Sequence, residues 1–549
     1  MLNLLAYLLV FDAIFILGAP HGIVHWLVHG LCIVFSLIFL HKVTRFYLFW
    51  LVLLLCYFCA SEPRFSVEYY FIAMGFMAWG LSDWWLNLRK KDRLVFLLTS
   101  FTLLFIGNFS FIGFSERGAE LLWFPVFLAL YLKPSRNKIL YSVSGILLLI
   151  SNKASTAIAF FSILFSRFKA YMFGILFFIA AGLGYAVKDL LPDFFSASVN
   201  SRISIWQSSV QGFLASPIYG HGFKTFVLDY PEYKIRGEEW GTLLVQQIAH
   251  GHSLFFHYLF EFGLIGALLL IIFFYLIYKR APKAILPLLI VSCFDVPITL
   301  YSEFLLASLI LAPFFQKKAA NENTSIKVLC AQIPKKYSII FIILAYSLAL
   351  YSLIPSFVGH FYYDQKNYTQ AIKWDKENSL YYLVRGVERL STDRYQASSE
   401  DFKKAISLTP GVGYIYGYLA AAQLALHDNE SAKKNIDKAM KLYGINAYWE
   451  FIAALANYED EELFNIYFWR AMKSRTDLIK EVRNPDKQAG VYIGSKESDV
   501  RVLSFYRQGP RLFLPLPYIP DCPDKPWILR KRLLEEAKLK KKSKSQAES

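Results

Sequence analysis

Gln246–Ile271 reads QQIAHGHSLFFHYLFEFGLIGALLLI. From Ser253 to Tyr278 the chain has no ionisable side chain of Lys, Arg or Asp, and only His257 and Glu261 interrupt it before Lys279 and Arg280. Crossing the bilayer core takes about 20 mostly apolar residues, so 253–278 reads as a membrane helix. Two histidines, His250 and His252, stand at its entrance. Imidazole titrates near neutrality and can take a proton from a hydroxyl. On a helix the two rings could not face one way, whereas in an extended segment they could. Glu261 lies deeper, about two and a half turns past His252. A carboxylate at that depth is costly unless paired, which invites a functional reading; a buried carboxylate bonded to a neighbouring helix explains it equally. No carboxylate or cysteine stands at ligand spacing from the two histidines, so no metal is expected there.

The rest of the chain has the same character. Its 549 residues are 56% hydrophobic and 17% aromatic, with mean hydropathy +0.37, too apolar for an ordinary soluble protein of this length. The net charge of +16 sits largely in short loops between apolar runs, which makes it an orientation signal rather than a mark of nucleic-acid binding. The six cysteines lie mostly in or beside apolar runs and form no disulfide framework; Cys56 and Cys59 lack a second ligand pair, so zinc is not expected there either. Leu2–Leu17 has no basic leader and reads as a first span rather than a removable signal. The expected fold is all-α, a polytopic bundle with spans near 2–18, 23–40, 46–60, 67–86, 94–112, 119–132, 139–150, 154–167, 170–187, 253–278, 284–298, 302–316 and 338–354. Basic loops follow every second span: His41–Arg45, Arg89–Arg93, Lys133–Lys138, Arg167–Lys169, Lys279–Lys283 and Lys317–Lys336. The positive-inside rule places these in the cytoplasm, and places 188–252 and everything after about residue 355 outside.

Domain 1–358 is thus the membrane part, with a long external loop at 188–252. Region 359–475 turns soluble. Ala371-Ile372-Lys373, Ala405-Ile406 and Ala439-Met440-Lys441 recur at a 34-residue spacing, the tetratricopeptide period of paired helices. Three such units are about the minimum for a stacked core. Region 476–549 is irregular, with the proline-rich GPRLFLPLPYIPDCPDKPW and a Lys-rich end that reads as disordered.

The external loop opens with SVNSRISIWQSSVQGFLASPIYGHGF. Arg202 and Trp206 share one face of a short amphipathic helix. A guanidinium suits a diphosphate, and an interfacial arginine that snorkels to lipid headgroups is the plainer reading. Pro217, Gly220 and Gly222 permit a tight turn, and His221 reads as a solvated loop residue. Lys153 interrupts apolar sequence at the outer end of a span, where it could hold phosphate or only snorkel.

These residues carry a family resemblance. His252-Ser253, nine residues, then Gly263-x-x-Gly266 resembles the signature of O-antigen ligases, and Arg202…Trp206…Pro217-x-x-Gly220-x-Gly222 resembles a second segment of that superfamily. The superfamily includes lipid A–core ligases, O-antigen polymerases and bacterial protein O-oligosaccharyltransferases. The resemblance covers about residues 90–280. It implies an inverting, metal-independent glycosyl transfer, without cofactor, on the outer side of the bacterial cytoplasmic membrane. The implied donor is a glycan on polyprenyl diphosphate. Carried over, Arg202 clamps the diphosphate and His252 is the base. His250 and Glu261 support them, with Lys153, Arg236 and Lys234 as further donor contacts. Lys153 stands where the family has arginine and loses the bidentate fork; Ser253 replaces a commoner asparagine. An external helical-repeat domain offers a concave surface for protein segments, which favours a protein hydroxyl as acceptor over lipid A–core or a growing polysaccharide. A multispan transporter, or a scaffold that recruits a protein partner through its repeats, is the rival of another class; no related halves of the kind transporters show are visible.

Overall fold

A computed structural model describes residues 36–60, 63–108, 120–132, 193–235, 250–298, 301–316, 331–442, 447–474 and 525–547, with a few isolated positions besides. The described residues are helical, apart from loops, an isolated antiparallel bridge between Phe46 and Gln332, and an antiparallel pairing of Tyr492–Ile493 with Leu512–Phe513. The chain divides into two compact units, residues 1–235, 249–360 and 500–508 in one and the remainder in the other. The spans expected at 2–18, 139–150 and 170–187 lie outside the described residues, as do most of 23–40 and 154–167.

The first unit is built from α1 (Tyr47–Phe58), α2 (Pro63–Gly80), α3 (Asp83–Asn87), α4 (Lys90–Asn108), α5 (Phe124–Tyr131), α6 (Asp193–Ala215), α7 (Phe226–Tyr233), α8 (Leu254–Arg280), α9 (Pro282–Phe294), α10 (Tyr301–Gln316) and α11 (Lys335–Asp364). Of the described helices, α8 and α11 are long and apolar enough to cross a bilayer unaided, at 27 and 30 residues. Helix α8 shows why it belongs in lipid. Leu264, Leu268, Ile271, Tyr275 and Tyr278 follow one another at helical spacing and are all exposed, while Phe260, Gly263, Gly266, Leu270, Phe274 and Ile277 are buried on the other side. A stripe of large exposed apolar side chains that long is untenable in water and natural against hydrocarbon. Helix α11 presents a similar stripe through Ile339, Ile340, Ile343 and Tyr351.

Buried tryptophans lock the shorter helices by donating to neighbouring backbones, so that their polar atoms are satisfied inside the bundle. Trp85 Nε1 donates to Leu309 O at 2.7 Å and Trp123 Nε1 to Pro297 O at 2.6 Å. Close helix approach needs small residues: at Gly80 a Cβ would stand 2.5 Å from the Ser308 side chain. The helix expected at the start of the loop 188–252 is longer than the short amphipathic one anticipated. Helix α6 runs for 23 residues and α7 follows it.

The second unit stacks α12 (Tyr368–Trp374), α13 (Ser379–Ser391), α14 (Tyr395–Leu408), α15 (Gly413–Ala425), α16 (Asn429–Leu442), α17 (Ala447–Ala456) and α18 (Glu461–Ser474). The alanines of the 34-residue period, Ala371, Ala405 and Ala439, are each wholly buried, one per helix in α12, α14 and α16. Larger side chains there would separate adjacent helices. Asn367 and Asn378 cap α12 and α13 by accepting from Gln370 N and Leu380 N. Asp401, nearly buried on α14, accepts from Arg385 at 2.7 Å and pairs with Arg389 at 2.9 Å, both on α13. Replacing Asp401 with alanine strands two guanidiniums, at a cost of about 2–3 kcal/mol. Hydrogen exchange on the full chain should then show faster amide exchange across α13 and α14, and unchanged exchange in α8. The Lys-rich end also departs from expectation: Pro526–Ala547 is helical (α19), with Leu529 buried and Arg530 donating to Tyr458 O at 3.0 Å and pairing with Glu461 at 2.9 Å. Those three contacts supply the order that the charge-rich composition alone would not.

Candidate active site

Just before α8 the short stretch His250, Gly251, His252 and Ser253 is held by contacts on both of its flanks. Gly251 uses both of its backbone groups. Its carbonyl accepts from Trp206 Nε1 at 3.1 Å, and its N–H donates to His257 Nδ1 at 3.3 Å. Trp206 also stacks on Phe256, with ring centroids 5.3 Å apart. On the far side Leu254 N donates to Asp295 O at 3.1 Å, and Ser253 Oγ to Ser292 O at 3.4 Å. His252 sits between these clamps with φ +45°. A histidine in that region costs about 1–3 kcal/mol and persists only where its surroundings impose it. The consequence is that the rings of His250 and His252 meet edge to face, 4.3 Å apart. The backbone reversal at His252, rather than an extended strand, puts them together.

The tryptophan that holds Gly251 is on the arginine helix. Arg202 precedes Trp206 by four residues of α6, about 6 Å of rise, so the two side chains share one helix face. Arg202 is half-buried and makes no hydrogen bond or ion pair with another described residue. A guanidinium is suited to holding an anionic group. Of the other expected donor contacts, Lys153 and Arg236 lie outside the described residues. Lys234 ends α7 as its C-cap, two residues from Glu232 and next to Ile235, whose N–H donates to Ser208 Oγ on α6 at 2.9 Å.

The glycines of both motifs turn out to be halves of one joint. At Gly263 helix α8 breaks, with φ +59° and ψ −147°. The freed amides of Leu264 and Ile265 donate to Pro217 O and Ile218 O at 2.9 and 3.3 Å, and His221 N and Gly222 N donate back to Phe260 O and Glu261 O at 3.1 and 2.7 Å. A Cβ on Gly263 would lie 2.7 Å from Pro217 O, and one on Gly220 2.4 Å from the Glu261 backbone. Only residues without a side chain let the two backbones meet. Gly263→Ala therefore combines a forbidden φ with a backbone clash. It should lower the thermal midpoint of the purified protein by several degrees, with the unfolding of the second unit's helices unchanged in hydrogen exchange.

Glu261 is wholly buried beneath this joint. Its Oε1 accepts from Phe226 N at 3.3 Å and faces His257 Nε2 at 3.5 Å. It thus holds α7 and the ring that positions Gly251, and it does not reach the mouth as a reacting group. Lys224, folded at φ +63° with its ammonium over the Tyr69 ring at 4.6 Å, balances Glu261 and Glu303. Burial lowers the pKa of the Lys224 ammonium, against the pull of those two carboxylates. His221 is not the solvated loop residue expected. Its ring stacks on Phe260 at 4.4 Å and its Nε2–H donates to Gly212 O at 2.9 Å. Burial lowers its pKa, against the hydrogen bond to Gly212 O, which raises it.

One functional-looking residue escaped the sequence reading. Asp295, at the C-cap of α9, brings a carboxylate to His250 and His252: their ligand atoms all lie within 4.8 Å of one another. The expectation that no carboxylate stands by the histidine pair is corrected by tertiary contact across 43 residues of chain. An aspartate inside the apolar run 284–298 was the available signal.

Residues 121–271 match the family model described as O-antigen ligase. That segment is similar to the O-antigen ligase family. It spans α5 to the middle of α8 and takes in Arg202, Trp206, both histidines and the glycine joint, about a quarter of the chain. No curated protein and no solved structure matches the chain. The ligase family is one of membrane proteins, which agrees with the lipid-facing stripes of α8 and α11, and its activity is glycosyl transfer of the O-antigen ligase type.

Proposed function

We propose that this O-antigen ligase-type enzyme transfers a glycan from polyprenyl diphosphate to an acceptor hydroxyl, with inversion at the sugar and without a metal. In this reading the acceptor oxygen attacks the anomeric carbon and the bond from that carbon to the diphosphate oxygen breaks. His252 takes the acceptor proton, and the diphosphate leaves with its charge held by Arg202. A single displacement of this kind inverts the centre. A cation fixed before the reaction lowers the barrier because no reorganisation is needed as charge develops. The observation that carries the reading is the bond from Trp206 to Gly251, which ties the arginine helix to the histidine mouth. The lipid tail has a natural place. An apolar cavity of about 410 Å³ opens beside the glycine joint, lined by Tyr70, Met77, Phe262, Gly266, Leu270 and Phe304.

The acceptor in this reading is a serine or threonine of an exported protein, met outside the cytoplasmic membrane by the C-terminal helices 359–475 acting as tetratricopeptide-like repeats. The regular burial of Ala371, Ala405 and Ala439 supports the repeat assignment. Purified protein incubated with a polyprenyl-diphosphate glycan and candidate acceptors, with products weighed by mass spectrometry, tests it. A glycosylated peptide is expected. Glycosylation of lipid A–core with no protein product would refute the acceptor assignment and leave ligation as the activity.

A further inference from the structure

We infer that His250, His252 and Asp295 form a binding site for one divalent transition-metal ion of the zinc class, whose occupancy silences the transferase. Imidazole and carboxylate are the nitrogen and oxygen donors such ions select, and three protein ligands with one open position is a common arrangement for zinc. The three ligand atoms lie within 4.8 Å of one another. Around a tetrahedral zinc with bonds of about 2.0–2.1 Å, ligands stand roughly 3.3 Å apart, a closure that side-chain rotation supplies. The backbone is already set. His252 is held at φ +45°, which turns its ring toward His250, and Leu254 N to Asp295 O at 3.1 Å ties the histidine strand to the end of α9. Val296 N donates to Asp295 Oδ1 at 3.0 Å and fixes the carboxylate's orientation, the kind of outer-shell bond that orients metal ligands. All three residues are half-buried, so an ion can reach them from solvent and is then partly shielded from it.

The consequence for catalysis rests on His252 being the base. The lone pair that coordinates a metal is the one that would accept the acceptor's proton, so ion and proton compete for one nitrogen. Metal enters by displacing protons from its ligands. No bond to the sugar is made or broken in the occupied form.

The test uses the full-length, untagged protein in detergent, titrated with Co²⁺ as a spectroscopic substitute for Zn²⁺. A visible ligand-field spectrum saturating at one ion per chain is expected, without a thiolate charge-transfer band, since Cys293 lies only two residues from Asp295. His250→Ala and Asp295→Ala should each weaken the affinity at least tenfold, with far-ultraviolet circular dichroism showing both variants folded. No spectrum, a thiolate band, or a spectrum untouched by both substitutions overturns the site. Transfer assays with Zn²⁺ then separate the two readings. Loss of transfer in step with filling, reversed by a chelator, supports the whole inference. A filled site with undiminished transfer overturns the silencing, and with it the role of His252 as base, while the metal site stands.

Discussion

Alanine in place of His252 should abolish measurable glycan transfer, a fall of about 10²–10⁴ in rate, the range that a positioned general base contributes. The variant should accumulate in membranes at the normal level, because its backbone restraints do not involve the imidazole: Gly251 is held by Trp206 and His257, and Ser253 and Leu254 by α9 and the residue capping it. Quantitative immunoblotting of membranes, run beside the transfer assay, separates lost chemistry from lost protein. A scaffold or transporter that works through its C-terminal helices has no use for an imidazole here, and would be unaffected.

Arg202→Ala should cost about 10²–10³ in turnover, the effect of deleting one preorganised stabiliser of developing charge. Since the diphosphate is charged before and after bond cleavage, part of the loss should appear as weaker donor binding. Arg202→Lys keeps the charge but loses the planar fork, and should recover only part of the activity. The expected pattern is therefore wild type, then lysine, then alanine, with no change in folding, because Arg202 makes no hydrogen bond or ion pair with another described residue. Kinetics over a range of donor concentrations reads the split between binding and turnover. Equal activity for all three would assign the residue to lipid headgroups instead.

Much of this was legible because the signals were local. Helix α8 announced itself as an apolar run broken only by His257 and Glu261, and the alanine period marked α12, α14 and α16 before any contact was known. Arg202 and Trp206 lie one turn apart, so their shared face followed from helix geometry alone. What stayed hidden depended on chain segments meeting from far apart. Nothing near His252 in sequence points to Asp295. The glycines could be read as turn formers, but not as two halves of one joint, since each is explained only by the backbone it touches. His221 looked like a loop residue because its burial comes from Phe260, on another helix. The order of α19 depends likewise on Tyr458 and Glu461, which a composition rule does not see.

The claim beneath all of this is that Arg202 and His252 serve a single transition state. Single-turnover transfer from a polyprenyl-diphosphate glycan, measured for wild type, Arg202→Ala, His252→Ala and the double variant, tests it most directly. Groups that act as a unit are strongly non-additive, so the double variant should be scarcely slower than the slower single one. Losses that simply multiply, or either single variant running at the wild-type rate, would contradict it.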